Sequence, residues 1–224
     1  MDRKISLSEI SDGKLYGIND MVKAGCNDCK GCSACCMGMG NSIRLDPFDI
    51  FRLTINMGKS FEELLSNKIE LNIVDGVILP NLKMVGESES CAFLNEEGRC
   101  SIHSHRPGFC RIFPLGRYYE NRSYHYILQV HECKNKNRSK VKVSKWIDTN
   151  DMKRNEKFIL DWHYFLKDLQ VQLKKSEDTA FIRNINLTLL HTFYQKPYVK
   201  ELDFYLQFEE RMEQMKEYLF SLEK

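Results

Sequence analysis

No run of apolar residues in this 224-residue sequence approaches the roughly 18 that a helix needs to span a bilayer, which excludes a helical membrane protein. The N-terminal stretch lacks the apolar core and small-residue cleavage site of a secretory leader. A cytoplasmic location, where thiols stay reduced, is the expectation that follows. Charge of one sign is also missing. Thirty-three basic residues stand against 31 acidic ones, a net charge of +2, so nothing draws the whole chain to nucleic acid or to an anionic bilayer. No glycine-rich phosphate loop follows a strand-like run, and the CxxxCxxC spacing of radical S-adenosylmethionine enzymes does not stand by itself. Nor is the cysteine count even. Nine thiols cannot all pair within one chain.

What is abundant is cysteine itself, and it is concentrated. Cys26, Cys29, Cys32, Cys35 and Cys36 are spaced C-x2-C-x2-C-x2-C-C, and Cys91, Cys100, Cys110 and Cys133 follow. Thiolates this dense are either oxidised or neutralised by a soft metal, and a reducing compartment favours the metal. All nine are candidate ligands. Two spacings compete. Cys26-x2-Cys29-x2-Cys32-x3-Cys36 matches a ferredoxin run and suggests an iron–sulfur cluster, although Met37 stands where that run has proline. Zinc sites use paired CxxC knuckles, of which only the first kind is present. Zinc and an iron–sulfur cluster both stay open. His103 and His105 flank Cys100 as lesser candidates, and Arg106 and Arg111 are placed to offset thiolate charge.

The fold class expected is α+β: a small metal-bound cysteine-rich domain with short hairpins and helices, followed by a three-helix C-terminal region. The divisions are a loosely ordered lead-in over 1–25 that packs against the core, a cysteine-cluster domain over 26–133, a basic linker over 134–149 and a helical region over 150–224. Asp46-Pro47-Phe48-Asp49 is a helix start that Gly58 can close, and Ser60-Phe61-Glu62-Glu63 is a capping box. Asp75-Gly76 marks a hairpin turn. Further hairpins are expected from Cys91 to His103 and from Arg117 to Val130. Lys134–Lys145 carries six cations and no acid, which reads as a solvated linker between domains in preference to an anion contact. Beyond it, apolar residues recur at helical steps from Ile159 to Leu173, from Ile182 to Phe193 and from Tyr205 to Leu222. Those stripes suit packing within the chain, while leaving room for an unknown protein partner. Neither nucleic acid nor a membrane is an expected partner.

The combination of Cys29, Cys32, Cys35 and Cys36 with Gly98, Cys100, Ile102, Arg106, Pro107, Cys110, Arg111 and Pro114 resembles the YkgJ-type cysteine-cluster family, the CxxCxxCC zinc- or iron-chelating domain. The likeness covers about residues 26–133. It implies a metal-bound domain with Cys29, Cys32, Cys35, Cys36, Cys91, Cys100, Cys110 and Cys133 as ligands, and it leaves Cys26 outside the core motif. A flagellin lysine N-methylase group is similar in its cysteine signature. Three functions are therefore in view: a metal-binding module, an S-adenosylmethionine-dependent protein lysine N-methylase-like enzyme, and an iron–sulfur redox protein.

Overall fold

The computed structural model describes residues 6–26 and 32–222. In chain order its first elements are α1 (Leu7–Ile10), β1 (Met21–Gly25), α2 (Pro47–Met57), α3 (Phe61–Asn67), β2 (Ile69–Val74), β3 (Val77–Leu82), β4 (Met84–Val85) and β5 (Ser90–Cys91). There follow α4 (Gly108–Ile112), β6 (Leu115–Glu120), β7 (Ser123–Leu128), β8 (Ser139–Lys142), α5 (Val143–Ile147), α6 (Met152–Lys175), α7 (Thr179–Leu190) and α8 (Phe204–Ser221). The strands pair as four antiparallel two-stranded ribbons, β1–β8, β2–β3, β4–β5 and β6–β7. This is the expected α+β arrangement of short hairpins and helices, with three long helices at the C-terminal end.

The chain forms two compact units that interleave along the sequence. One comprises the described residues up to Ile43 together with Met84–Leu160, and the other comprises Arg44–Lys83 together with the described residues from Asp161 onward. Residues 44–83, expected within the cysteine segment, thus belong with the C-terminal helices. Their local chemistry explains why they fold as helices and a hairpin.

Within that second unit, Asp46 accepts from the Asp49 N–H at 2.8 Å while Asp49 accepts from the Asp46 N–H, closing a reciprocal cap on α2. Gly58 ends the helix at φ 61°, a left-handed position at which a side chain would be strained. Ser60 and Glu63 repeat the reciprocal cap on α3. Asp75 and Gly76 both have positive φ, which suits the tight turn joining β2 to β3, whose partners run from Ile69 opposite Leu82 to Val74 opposite Val77. An aromatic core fills the unit. Trp162 meets Phe193 edge-on at 4.8 Å, Phe204 lies 4.8 Å from Phe48, and the buried Tyr194 donates to the Leu45 carbonyl at 3.2 Å. Such pairs add about 0.5–1.5 kcal/mol each beyond the area they bury. Burial holds the Tyr194 hydroxyl well above its ordinary pKa, so it stays a donor. Arg211 lies 3.6 Å from the centre of the Tyr198 ring and donates to the carbonyls of Thr192, Lys196 and Pro197. It thereby satisfies the carbonyl end where α7 widens into a π-helical turn over His191–Gln195.

The first unit is built on Val22, Ala24, Ile112, Leu115, Tyr126, Leu128, Val143 and Ile147. The N-terminal stretch expected as a loose lead-in supplies two of these, because Val22 and Ala24 alternate inward along β1. The expected basic linker is likewise structured: Lys142 ends β8 and Val143 begins α5, whose residues Val143 and Ile147 are buried. The hairpin β6–β7 turns at Asn121 and Arg122, both at positive φ, and its partners run from Leu115 opposite Leu128 to Glu120 opposite Ser123. The hairpin expected from Cys91 to His103 is reduced to a single bridge between Leu94 and Cys100. Cys91 instead pairs with Met84 in β4–β5.

In the second unit, Asn186 is buried on α7, accepts from the Ile78 N–H at 2.7 Å and donates to the Gly76 carbonyl at 3.0 Å. Asn186→Leu keeps the volume but strands both backbone groups. It should lower stability by about 1–3 kcal/mol, visible as a lower Tm in thermal unfolding; an unchanged Tm would show that water replaces these bonds.

Candidate metal centre

Every described cysteine falls in the first unit, on short elements that the small core holds in place. Cys35 and Cys36 occupy a single 3-10 turn, Ala34–Cys36, in which the Cys36 N–H donates to the Ser33 carbonyl at 2.8 Å. The chain leaving that turn is tied down at once. Met37 bridges to Ser90, and the Gly38 N–H donates to the Glu89 carbonyl at 2.9 Å. This anchors the cysteine turn to the β4–β5 ribbon. Cys100 follows a tight turn in which the Asn95 N–H donates to the Arg99 carbonyl and Gly98 stands at φ 69°. A Cβ at Gly98 would lie 4.0 Å from Ser33 Oγ, so this turn and the cysteine turn are close neighbours. Cys110 sits in the middle of α4, half-buried, ten residues beyond Cys100.

The electrostatics indicate which thiols lie within reach of one another's charge. Cys36 donates its S–H toward Cys35, and this hydrogen bond, with help from the Arg106 charge, brings the Cys35 thiol down to about 7 against the opposing effect of burial. The same hydrogen bond, then burial, then the neighbouring charges of Cys35, Cys110 and Cys100 push the Cys36 thiol up. Burial also raises Cys100, with the Ile102 N–H and the Arg106 charge acting against it. Cys35, Cys36, Cys100 and Cys110 therefore form one neighbourhood drawn from three separate stretches of chain. Arg106 belongs to it and donates to the His103 imidazole, which must accept because a guanidinium has no lone pair to offer. His103 is thus a support for Arg106 in this arrangement.

The other candidates are placed differently. Cys26 is buried directly after β1, Cys32 is exposed, Cys91 is buried on β5, and Cys133 is half-buried beyond β7. Cys29 lies outside the described residues. Cys32, Cys35, Cys36, Cys100 and Cys133 carry free thiols. Among the described residues, no three His, Cys, Asp or Glu side chains are gathered tightly enough to enclose an ion. The donor chemistry nonetheless fits a thiophilic metal: four neighbouring sulfurs, with the charges of Arg106 and Arg99 acting on Cys100, suit zinc or iron and do not suit magnesium or calcium.

The model of the CxxCxxCC family, described as a "Putative zinc- or iron-chelating domain", matches residues 28–141. The chain belongs to the CxxCxxCC family. No curated protein and no solved structure matches it. Cys26 precedes the CxxCxxCC match, whereas the other eight cysteines lie within it. The CxxCxxCC span also contains α2, α3, β2 and β3, so the family's stretch of sequence contributes to both compact units. No helix among the described residues is long and apolar enough to cross a membrane.

The two arginines of the CxxCxxCC motif do different work, which their spacing alone does not reveal. Arg106 acts on the thiols. Arg111 is buried and donates to the carbonyls of Asp148 at 2.8 Å, Ser104 at 3.1 Å and Ile147 at 3.4 Å. It thus pins the chain ahead of α4, and α4 itself, to the end of α5. Asp148 is in the left-handed region at φ 47°, where the α5 carbonyls turn outward, and this gives a guanidinium something to bind. Trp146 reinforces the joint, its indole N–H donating to the Ile112 and Phe113 carbonyls. Arg111→Met should lower the Tm, at a cost of about 1.5–3 kcal/mol for hydrogen bonds to a charged group. A Tm equal to that of the parent protein would show that these carbonyls do not need it.

Proposed function

We propose that this protein is a thiolate metal-binding module whose ion is held by Cys35, Cys36, Cys100 and Cys110, with zinc or iron as the metal. What supports the reading is that those four sulfurs, from three stretches of chain, lie within reach of one another's charge, with Arg106 acting on Cys35 and Cys100. Adjacent Cys35 and Cys36 serve one neighbourhood, made possible by the 3-10 turn. Cys29 and Cys32 precede that turn in the family motif and are the next candidates along the sequence; Cys91 and Cys133 are further candidates within the family match, and Cys26 lies before it. A ligand set that joins the N-terminal run to Cys100 and Cys110 differs from a ferredoxin run, in which consecutive cysteines serve together.

Four thiolates carry a charge of −4 before metal binds, and a divalent ion leaves −2. A guanidinium beside such a site offsets part of the remainder, and its permanent charge makes it suited to that place. Because ligand thiols release protons and lose repulsion only when metal arrives, metal binding should add to folding stability.

Purification without oxygen, followed by measurement of bound metal, acid-labile sulfide and the visible spectrum, distinguishes the metals. Zinc without sulfide identifies a closed thiolate site; iron with sulfide and a brown absorbance identifies a cluster. Cys35→Ser and Cys100→Ser should each abolish stoichiometric metal and lower the Tm, whereas Cys26→Ala should retain the metal. Full metal content with unchanged melting in both serine variants would defeat the proposed site. Complete loss in Cys26→Ala would favour the ferredoxin-like set instead.

A further inference from the structure

A run of like charge passes through the β1–β8 ribbon, where β8 carries Lys140 and Lys142 and β1 carries Lys23. Six of the thirty-three basic residues fall between Lys134 and Lys145, with no acid among them, which leaves twenty-seven cations against thirty-one acids over the rest of the sequence. The near-neutral total therefore hides a segregated charge. The ribbon determines how that charge is presented. Met21 pairs with Lys142, Val22 with Val141 and Gly25 with Ser139, so that Lys23 and Ala24 together oppose Lys140 at a bulge. Val22 and Ala24 turn into the core, and Lys23 and Lys140 are exposed on the other face with Met21. The bulge keeps Gly25 tight against Ser139, where a Cβ would collide. Asp20, the acid at the head of the ribbon, already accepts from the Gly17 N–H at 2.7 Å.

We propose that the outer face of the β1–β8 ribbon is a nucleic-acid contact surface, with Lys23, Lys140 and Lys142 seated on the phosphates of a duplex. Three properties of the ribbon favour that occupant. A two-stranded ribbon is one of the few elements narrow enough to enter the major groove of B-DNA. Lysines two residues apart on a strand are spaced by about 6.8 Å, so that each meets a different phosphate. Exposed aromatic rings on which unpaired bases would stack are missing from the described part of this face, and Trp146 is committed to backbone carbonyls, which argues for a duplex over a single strand. Met21 is the single large apolar side chain exposed on the ribbon, too little for insertion into a bilayer. The surface contacts backbone without reading bases, so its binding is independent of sequence and steeply dependent on salt.

The test is fluorescence anisotropy of the metal-loaded, full-length protein with a labelled mixed-sequence DNA duplex, from about 50 to about 200 mM salt. The parent protein should bind with an affinity that falls linearly on a log–log plot. The triple variant Lys23→Gln, Lys140→Gln, Lys142→Gln should bind at least about tenfold more weakly at the low end and lose about two to three from the slope, close to one per phosphate contact. Its metal content should be unchanged, so a failure of the metal site would be seen separately. Should the triple variant misfold, Lys140→Gln alone, on an exposed side chain, should lose about one from the slope. Absence of duplex binding at low salt, or equal slopes for parent and variant, overturns the proposal. So does tighter binding to phosphatidylserine vesicles than to the duplex, or competition by polyglutamate as effective as by DNA.

Discussion

The close approach of Cys35 and Cys36, within reach of the charges of Cys100 and Cys110, is the constraint on which the cysteine-bearing unit turns. Burial and neighbouring sulfur both make ionisation harder: the hydrogen bond with Cys35, then burial, raises Cys36, and burial raises Cys100. The arrangement persists because three things offset that cost: the S–H of Cys36 shared with Cys35, the fixed charge of Arg106, and the rigidity of the turns that carry the sulfurs. None of the sulfurs sits in a long element. They lie on a 3-10 turn, just after a tight turn and on a five-residue helix, where small backbone rotations swing a side chain through large angles.

Rigidity at those turns comes from contacts that the sulfurs do not make. The Met37–Ser90 bridge holds one turn and the Arg111 guanidinium holds α4 through the carbonyls of Ser104, Ile147 and Asp148. α5 is in turn fixed by Val143 and Ile147 in the core shared with β1 and β6–β7. A chain of contacts thus runs from an aliphatic core, through backbone hydrogen bonds to arginine and tryptophan, to the helix that carries Cys110. Loss of one link acts on the site through position, not through ligation.

The second unit is organised by different physics. Its centre is aromatic, and its polar groups are spent on closing element ends: Asn186 on the β2–β3 turn, Tyr194 on the strand-like approach to α2, Arg211 on the π-helical turn. Every described cysteine lies elsewhere. The split of the CxxCxxCC sequence between two units follows from this, since residues 44–83 carry the apolar faces that match Phe204, Tyr205 and Tyr194 and carry no cysteine.

Much of this was legible in the sequence because it rests on interactions within a few residues. Asp46 through Asp49, Ser60 through Glu63, Asp75-Gly76 and the apolar spacing after residue 150 each encode an element by local hydrogen bonds and periodicity, and each element is found. The thiol density and its motif likewise place the chain in its family without reference to any fold. What the tertiary structure alone decided is which groups meet. Cys36 and Cys100 are 64 residues apart, and their encounter depends on hairpins and bridges whose partners no local pattern names. The same holds for Arg111, whose acceptors at Ile147 and Asp148 exist only once α5 has formed, and for the basic stretch after Lys134, which looks like a solvated linker until β1 offers it a partner strand. Local chemistry specifies elements because its range is one turn; contacts across the chain are set by the packing of whole elements, and that is decided only when they fold together.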